Sequence, residues 1–360
     1  MAEEPEVLVV GAGPVGLTAA LELARRGAAV RIVERAADRT ELSKAVGINA
    51  RSLELLRHSG VTTRLIEAGL PVYRFNLRHY TRLLATIDFE RMDCRYNYLL
   101  SLAQSETEAI LEAVLAEHGV AVERETALTG LAQDAGGVDT GLVHAGQTTE
   151  ARFDVVVGAD GAHSTVREAL GLGFAGERYP DSWSLADIVL EWPFGEGEAN
   201  LFMHDDGAVL FVIALGLGRY RAISNTADAL ALLPAPSVVR EVLWRADFTV
   251  SLRQVTRYQQ GRCFLAGDAA HIHSPAGGRG MNLGIEDAVE LARRIMDGGL
   301  EGYSEARYRA GARVVRESDW QFRASAFRNP LAIVARNAFL RYGLGSEFVQ
   351  KRFRRRMAGL

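Results

Sequence analysis

The chain is poor in cysteine and in lysine. Only Cys94 and Cys263 occur among its 360 residues, which excludes a disulfide framework and a cysteine-based zinc site. Free thiols are typical of a reducing compartment, so we expect the protein in the cytoplasm. The two lysines are Lys44 and Lys351, against 39 arginines. Arginine therefore carries almost all of the positive charge.

Long apolar runs and a strong net charge are also missing. The first apolar stretch, residues 7–23, follows three glutamates and is interrupted by three glycines and a proline. It therefore predicts neither a signal peptide nor a membrane span. The formal net charge of −4 argues against a dedicated nucleic-acid binder. With 48% hydrophobic and 24% charged residues, the composition is that of a globular protein of about two domains.

The charges are unevenly distributed along the chain. Residues 303–360 hold thirteen arginines and lysines but four acidic residues, a local net charge of +9. The rest of the chain consequently carries −13. Because opposite charges attract, we expect the basic C-terminal region to pack against the acidic body, although such regions also bind membranes and polyanions.

Glycine, by contrast, is abundant, and its first cluster lies in a strand-helix-strand pattern. A buried-type strand leads into the motif GAGPVG at residues 11–16, a helical pattern follows, and a second strand ends at Glu34. In this context Gly11 permits a tight turn, Gly13 lets the backbone approach a pyrophosphate, and Gly16 lets the helix pack on the strand. An acid after the second strand binds ribose hydroxyls and disfavours a 2′-phosphate. The pattern therefore predicts a site for FAD or NAD.

The remaining pattern predicts an α/β protein that contains an antiparallel sheet. Helical periodicity is present at several places and in the last sixty residues. The middle of the chain alternates instead, as antiparallel strands do. The predicted helices are 50–58, 104–118 and about 281–296. The predicted strands are 7–10, 29–33, 73–89, 120–123, a run near Leu128, 138–143, 153–157, 184–192, 200–204, 208–215, 220–225 and 262–266.

Two further motifs decide between the two cofactors. One is GADGAHSTVR at 158–167, and the other is GDAAH at 267–271, followed by Pro275 and by the tripeptide 280–282. With the first motif, in this order and spacing, they resemble the class A flavoprotein monooxygenases, the p-hydroxybenzoate hydroxylase-like family, from residue 7 to about 287. The resemblance implies a Rossmann-type FAD-binding domain with an inserted antiparallel sheet and C-terminal helices. We therefore predict a discontinuous FAD-binding domain (1–72, 98–175 and 260–300), a substrate-binding β-sheet domain (73–97 and 176–259) and a C-terminal helical region (301–360).

The resemblance also implies the chemistry. The family binds FAD without a covalent bond, reduces it with NADPH or NADH, and hydroxylates an aromatic, polycyclic or phenolic substrate with O2 through a C4a-hydroperoxyflavin. The cofactor supplies the difficult chemistry, so no nucleophilic side chain is required, and we identify no catalytic base. We expect a small aromatic or polycyclic substrate and O2 as partners. We expect no nucleic acid, no integral membrane segment, and either a monomer or a homodimer.

The residues expected to bind FAD come from several distant motifs. Asp268 follows a buried strand, where a carboxylate can hold a ribityl or ribose hydroxyl. Residues 275–282 form a glycine-rich nest whose N–H groups suit the flavin pyrimidine edge, and the resemblance places the flavin ring there. The resemblance also implies FAD contacts for Gln104 and for the cations after Glu34, whereas Asp160 either shapes the pyrophosphate region or only forms a turn. The expected set is Gly11, Gly13, Pro14, Val15, Gly16, Glu34, Arg35, Lys44, Arg51, Gln104, Leu128, Asp160, Gly267, Asp268, Pro275, Gly278, Gly280, Met281 and Asn282.

The substrate region differs from that of the hydroxylases that bind small acids. Those enzymes clamp a benzoate with an arginine and hydroxyls, whereas the corresponding strand here, 209–215, offers neither. We therefore expect a larger and less charged ring system, such as a polyketide, phenol or quinone precursor. Alternate strand residues face opposite ways, so about half of the apolar candidates must fill the core instead. The candidate wall residues are Phe202, Met203, Phe211, Ile213 and Trp183.

Several other interpretations follow from the same residues. A flavin-dependent reductase of prenyl or polyene substrates would bind FAD identically but would not hydroxylate. A non-catalytic flavoprotein partner in a biosynthetic complex would also retain the glycines. A halogenase is disfavoured because the WxWxIP motif of that group is absent. His271 and His273 lack a carboxylate at ligand spacing, so we interpret His271 as structural and predict no metal site.

Overall fold

The computed structural model describes residues 5–39, 45–275 and 277–360. Within these ranges the backbone forms twenty strands and nine α-helices. The strands are β1 (Glu6–Val10), β2 (Ala29–Val33), β3 (Gly47–Ile48), β4 (Leu70–Val72), β5 (Arg74–His79), β6 (Arg82–Asp88), β7 (Leu99–Ser101), β8 (Val122–Glu123), β9 (Thr126–Gln133), β10 (Val138–His144), β11 (Gln147–Phe153), β12 (Val155–Gly158), β13 (Phe174–Glu191), β14 (Glu198–Met203), β15 (Val209–Gly216), β16 (Arg219–Ser224), β17 (Val238–Val255), β18 (Gln259–Gln260), β19 (Cys263–Leu265) and β20 (His271–Ile272). The helices are α1 (Pro14–Ala24), α2 (Ala50–Leu55), α3 (Val61–Ala68), α4 (Gln104–Glu117), α5 (Thr165–Ala169), α6 (Gly280–Asp297), α7 (Tyr303–Ser325), α8 (Pro330–Tyr342) and α9 (Glu347–Met357).

A six-stranded sheet carries the first glycine motif. Its order is β18-β19-β12-β1-β2-β8, and the strands from β19 to β8 are parallel. Residues 7–9 of the central strand β1 are fully buried, since α1 packs against β1 and β2, and strands β11 and β9 of a small antiparallel sheet also contact β1 and β2. α1 connects the adjacent parallel strands β1 and β2 and packs against α4 and α6. The predicted strand-helix-strand unit is confirmed.

An eight-stranded sheet forms the second layer, in the order β20-β17-β13-β16-β15-β14-β5-β6. Its neighbouring strands are antiparallel except for the parallel pair β14 and β5. The four strands predicted between 184 and 225 are present, and the predicted strand region 73–89 supplies β5 and β6 at one edge. β17 is a long strand that the sequence analysis did not predict.

Local departures from the predicted elements are small. The helix expected at 50–58 ends as α2 at Leu55 and continues as a 3-10 turn, which stops at Gly60 with φ of +79°. The strand expected at 153–157 is divided between β11 and β12, and between them Asp154 Oδ2 accepts a hydrogen bond from the Glu6 N–H at 2.9 Å. Two smaller sheets, β3-β7-β4 and β9-β10-β11, complete the described part of the chain.

The C-terminal region is helical, as predicted. α7 packs against α6 and β17, and both α8 and α9 pack against the edge strand β6 of the eight-stranded sheet. These helices therefore join the two sheet layers. Among the described residues, no helix combines the length and the apolar character that a membrane span requires.

Candidate active site

The turn between β1 and α1 is crowded at two glycines and open at a third. Gly11 has φ of +101°, and a Cβ there would lie 2.5 Å from the carbonyl oxygen of Ala159. A Cβ on Gly16 would lie 1.8 Å from the Gly11 carbonyl oxygen. A Cβ on Gly13, which caps α1, would meet no described atom within 4 Å. The space at Gly13, beside the first N–H groups of the helix, fits an anion such as a pyrophosphate.

Val15 joins this turn to the third motif. A Cβ on Gly267 would lie 2.7 Å from Val15 Cγ2, and a Cβ on Gly284 would lie 2.4 Å from the same atom. Both positions are therefore glycine because the Val15 side chain occupies the space between them. Pro14, the first residue of α1, needs no hydrogen-bond partner for its nitrogen. Val15 thus contributes packing between two predicted FAD motifs.

The Glu34 carboxylate is held in place by backbone donors. Its Oε2 accepts a hydrogen bond from the Ala12 N–H at 2.9 Å, and its Oε1 accepts one from the Ala36 N–H at 3.0 Å. Each carboxylate oxygen has capacity for a second donor. The fixed carboxylate beside the glycine turn suits the hydroxyls of a ribose.

The second motif is tied to the third by a buried arginine. Arg167, which is 5% exposed, donates to the carbonyl oxygens of Ala269 at 3.1 Å and Ala162 at 2.9 Å. Asp160 Oδ2 accepts a hydrogen bond from the Val166 N–H at 3.2 Å, and its buried Oδ1 has no partner among the described residues. Burial raises the pKa of Asp160. The carboxylate thus supports the start of α5 and keeps one oxygen available.

The loop before α6 is anchored by Asn282, which is fully buried. Its Nδ2 donates to the carbonyl oxygens of Gly47 and Gly278, both at 2.8 Å, and its Oδ1 accepts from the Asn49 N–H at 2.9 Å. Because protein partners occupy this side chain, only the backbone of Asn282 is available to a flavin. Gly278, with φ of +60°, directs the loop into α6 without a side chain.

A buried ionic cluster lies behind the Gly267-Asp268 turn. Asp287 Oδ2 accepts a hydrogen bond from the Gly267 N–H at 3.0 Å and lies 2.6 Å from His271 Nε2, while Arg307 Nε donates to Oδ1 at 2.5 Å. Burial alone would raise the pKa of Asp287, but the charges of Arg307 and His271 outweigh it and lower that pKa. His271 is therefore a bonded structural histidine. The sequence analysis missed Asp287, because nothing in the pattern of α6 distinguishes it from neighbouring acids.

The other histidine lies in the wall of the cavity described below. His273 Nδ1 lies 2.9 Å from the carbonyl oxygen of Ser274, and its buried Nε2 has no partner among the described residues. Burial lowers the pKa of His273 to about 4, so the ring is neutral at physiological pH. A Cβ on Gly280 would lie 3.8 Å from Nε2, which places this ring beside the start of α6.

Other predicted FAD residues are less directly placed. Gln104 starts α4 and donates through Nε2 to Glu108 Oε1 at 2.8 Å, so its carbonyl oxygen is the group left for a ligand. Leu128 is 6% exposed and packs in the core, so its side chain is not available to a cofactor. Arg35 and Arg51 are exposed. Lys44 lies outside the described residues.

One cavity of about 1110 Å³ connects the two sheet layers. Its lining on one side includes Asp268, Pro275, Gly278, Gly280 and Met281, the predicted residues of the ribityl and flavin-ring region. Its other side is the inner face of the eight-stranded sheet. The volume exceeds that of an ordinary ligand pocket of about 300–1,000 Å³, so it suits a ring cofactor and a substrate together.

Four of the five predicted substrate residues line this cavity, and one does not. Met203, Phe211, Ile213 and Trp183 are in its wall. Phe202 is 1% exposed and packs on the opposite face of the sheet. Its ring centroid lies 6.0 Å from that of Trp192 and 5.8 Å from that of Phe194. The expectation for Phe202 is wrong, because adjacent strand residues such as 202 and 203 face opposite sides.

The sequence analysis missed a large part of the apolar wall. β5 and β6 contribute Leu77 and Ile87, and the C-terminal helices contribute Phe322, Phe339 and Phe353. The strand alternation at 73–89 is a usable signal for the first group. No local signal marks the second group, because their partners lie far away in the sequence.

A model of a known protein family, described as an FAD binding domain, matches residues 4–215 and 221–318. Among curated relatives, the 6-methylpretetramide 4-monooxygenase of Streptomyces rimosus is 36% identical over 93% of this chain and 64% of its own length. The pentachlorophenol 4-monooxygenase of Sphingobium chlorophenolicum is 36% identical over 80% of this chain and 57% of its own length. The chain thus spans about 60% of the length of these relatives.

Solved structures share the fold over nearly the whole chain. An anhydrotetracycline hydroxylase from Streptomyces rimosus has a TM-score of 0.84 and 31% identity, covering 99% of this chain and 76% of its own. A p-nitrophenol 4-monooxygenase from Pseudomonas putida DLL-E4 has a TM-score of 0.88 and 24% identity, covering 97% of this chain and 96% of its own. At that identity the second structure shows the fold alone.

Proposed function

Since this chain belongs to the FAD-binding-domain family of the class A flavoprotein monooxygenases, we propose that it is an FAD-dependent monooxygenase. Its substrate is an aromatic compound of several rings, its electron donor is NADPH or NADH, and its oxidant is O2. The observation that carries the proposal is the cavity that is shared by the loop before α6 and the apolar face of the eight-stranded sheet. A ring placed there meets the cofactor region on one side and apolar side chains on the other.

The residues present fit FAD along its length. The open space at Gly13 and the first turn of α1 would receive the pyrophosphate, and Glu34 would hold the adenosine ribose. Asp268 lines the cavity at the position suited to the ribityl chain. The backbone N–H groups at the start of α6 would meet the pyrimidine edge, where the helix dipole favours negative charge.

When bound, FAD would supply the redox chemistry, in which two electrons from the nicotinamide reduce O2 so that one oxygen atom enters the substrate and the other leaves as water. The chain's own residues bind, orient and exclude water. Phe211, Ile213 and Trp183 provide an apolar wall, so reacting groups at the ring are shielded from solvent. The neutral imidazole of His273 adds no charge beside the start of α6.

The apolar wall supports a polycyclic or phenolic substrate over a small acid. One strand of the wall, β15, carries neither an arginine nor a hydroxyl to clamp a carboxylate. The curated relatives support the same class, because their names include a pretetramide and a chlorinated phenol. We propose on this basis that residues 73–97 and 176–259 form the substrate-binding domain and that 1–72, 98–175 and 260–300 form the FAD-binding domain.

The direct test is turnover with a panel of phenols and linear polycyclic phenols. The FAD-loaded protein should oxidise NADPH or NADH faster when a substrate is present, and the product should be heavier by one oxygen atom by mass spectrometry. Phe211→Ala, in the cavity wall, should raise the KM for the substrate. A product that gains two hydrogen atoms instead of oxygen would identify a reductase and contradict the proposal.

A further inference from the structure

The C-terminal helices α8 and α9 present an unusual outward face. On α8, Leu331, Val334 and Tyr342 are 81%, 66% and 72% exposed, and with Ala338 they recur at helical spacing on one side. On α9, Phe348 is 78% exposed. Exposed apolar residues in a contiguous group mark an interaction surface, whereas isolated ones do not. We call the group Leu331, Val334, Ala338, Arg341, Tyr342, Phe348, Lys351, Arg352 and Arg355 the outward face.

The charge on the outward face has one sign. Lys351, Arg352 and Arg355 recur at helical spacing with Phe348 along α9, and Arg341 stacks over Tyr342 on α8. No carboxylate of the described residues lies within 4 Å of these four cations. The expected packing of the basic region on the acidic body is seen at Arg307, which pairs with Asp287. These outward cations make no such pair.

Both helices present this face in the same general direction. α8 and α9 pack their inner sides on the same strand, β6, and a three-residue turn, Gly343–Gly345, lies between them. The buried positions Ile333, Arg336 and Arg354 are on those inner sides. Leu340 of α8 and Phe353 of α9 pack in the same apolar cluster, so the outward stripe of each helix lies on the side away from that cluster.

We propose that the outward face docks the protein on an anionic lipid surface, with α8 and α9 lying in the plane of the bilayer interface. Leucine, valine, tyrosine and phenylalanine side chains would enter the boundary of the acyl chains, while the arginines and the lysine would meet lipid phosphates. A symmetric dimer through this face would bring at least eight cations together without a counter-charge, so a second copy fits the charge pattern poorly.

The position of the cavity gives this docking a consequence. Phe339 and Leu340 of α8, and Phe353 of α9, also line the cavity. The same helices thus separate the cavity from the proposed bilayer surface by one layer of protein. A lipophilic ring compound held in the membrane would have a short path to the site. This consequence rests on the proposed function, whereas the docking itself does not.

The test is co-sedimentation of the full chain with vesicles of phosphatidylcholine, with and without phosphatidylserine. We expect binding to the vesicles that contain phosphatidylserine, weakening as salt is added. The double variant Arg352→Gln, Arg355→Gln should bind about thirtyfold more weakly, because each cation near an anionic surface contributes about 1 kcal/mol. Leu331→Ser with Phe348→Ser should also bind more weakly.

The matched control removes the same charge elsewhere. Arg240 and Arg245 are exposed on β17, and Arg240→Gln with Arg245→Gln should bind vesicles like the unmodified chain. Equal thermal midpoints of all variants establish that each is folded. Absence of binding to both vesicle types overturns the proposal, and so does equal weakening by the two double arginine variants. A dimer on gel filtration that Arg352→Gln, Arg355→Gln dissociates would assign the face to a second copy and also overturn it.

Discussion

Gly13→Ala separates cofactor binding from folding. A Cβ on Gly13 would meet no described atom within 4 Å, and the residue has φ of −74° and ψ of −178°, which alanine adopts without strain. The apoprotein should therefore keep its free energy of unfolding within about 1 kcal/mol, since cap and chain-entropy effects of this change are small and opposite. The added methyl group would instead occupy the space assigned to the pyrophosphate.

Forcing a methyl group into filled space costs about 1–3 kcal/mol, so FAD should bind Gly13→Ala about 5- to 150-fold more weakly. Fluorescence quenching on titration of the apoprotein with FAD measures this change, and urea unfolding of the apoprotein measures stability. Gly16→Ala is the contrasting variant, because its Cβ would lie 1.8 Å from the Gly11 carbonyl oxygen and should destabilise the apoprotein itself. An unchanged FAD affinity for Gly13→Ala would refute the assignment of this space.

Three further predictions test other parts of the site. Asp287→Asn should lower the free energy of unfolding by about 3–5 kcal/mol at neutral pH, because it removes the carboxylate charge that the buried Arg307 guanidinium contacts most closely. Folding lowers the pKa of Asp287, so the stabilisation that its carboxylate gives the folded state is complete above the ordinary carboxyl pKa. This stabilisation is lost as the pH falls through the lowered pKa. Urea unfolding from about pH 2 to about pH 7 measures the loss. Phe202→Ala should destabilise the protein by about 3–5 kcal/mol without changing the KM for substrate, whereas Phe211→Ala should change KM. Glu317 pairs with both Arg279 and Arg356, so the substitution Glu317→Gln should weaken FAD binding. The control Glu305→Gln, which removes an exposed ion pair on the same helix, should leave FAD binding unchanged.

Glu317 lies between two segments of the chain that border the cavity. Glu317 Oε2 accepts from Arg279 Nη1 at 3.3 Å, and Oε1 accepts from Arg356 Nη2 at 2.5 Å. Arg279 immediately precedes α6, and the chain after Arg356 reaches α2, where the Arg51 N–H donates to the Ala358 carbonyl oxygen at 3.0 Å. One carboxylate therefore links two segments beside the cavity. Equal FAD affinities for Glu317→Gln and Glu305→Gln would contradict this link.

Local sequence signals predict the parts of the fold that depend on neighbours in the chain. The β1-α1-β2 unit and α4 follow from apolar periodicity and glycine stops, and the structure has them within a few residues of the predicted bounds. β17 was missed because its pairing with β13 shifts register at three places. Each shift interrupts the alternation of apolar and polar residues by which a strand is predicted. Its second half, from Trp244 to Ser251, nevertheless alternates regularly and is a signal that could have found it.

Local sequence signals do not predict which residues come together in the candidate site. Strand alternation predicts that Phe202 and Met203 face opposite sides of the sheet, but only the three-dimensional packing decides which side holds the cavity. The apolar residues of α8 and α9 follow helical spacing, but the strand that these helices cover, β6, lies more than a hundred residues earlier in the chain. Asn282 likewise contacts Gly47 and Asn49 across 235 and 233 residues. Such contacts depend on topology, which no window of sequence contains.

The most direct measurement compares the binding of FAD and FMN to the flavin-free protein by titration calorimetry. If one cofactor extends from the Gly13 turn and Glu34 to the loop before α6, FAD should bind with one site per chain. FMN, which lacks the adenosine part, should then bind at least about tenfold more weakly, the loss of about 1.4 kcal/mol. Equal affinities for the two flavins, or no binding of either, would contradict the assignment of the site.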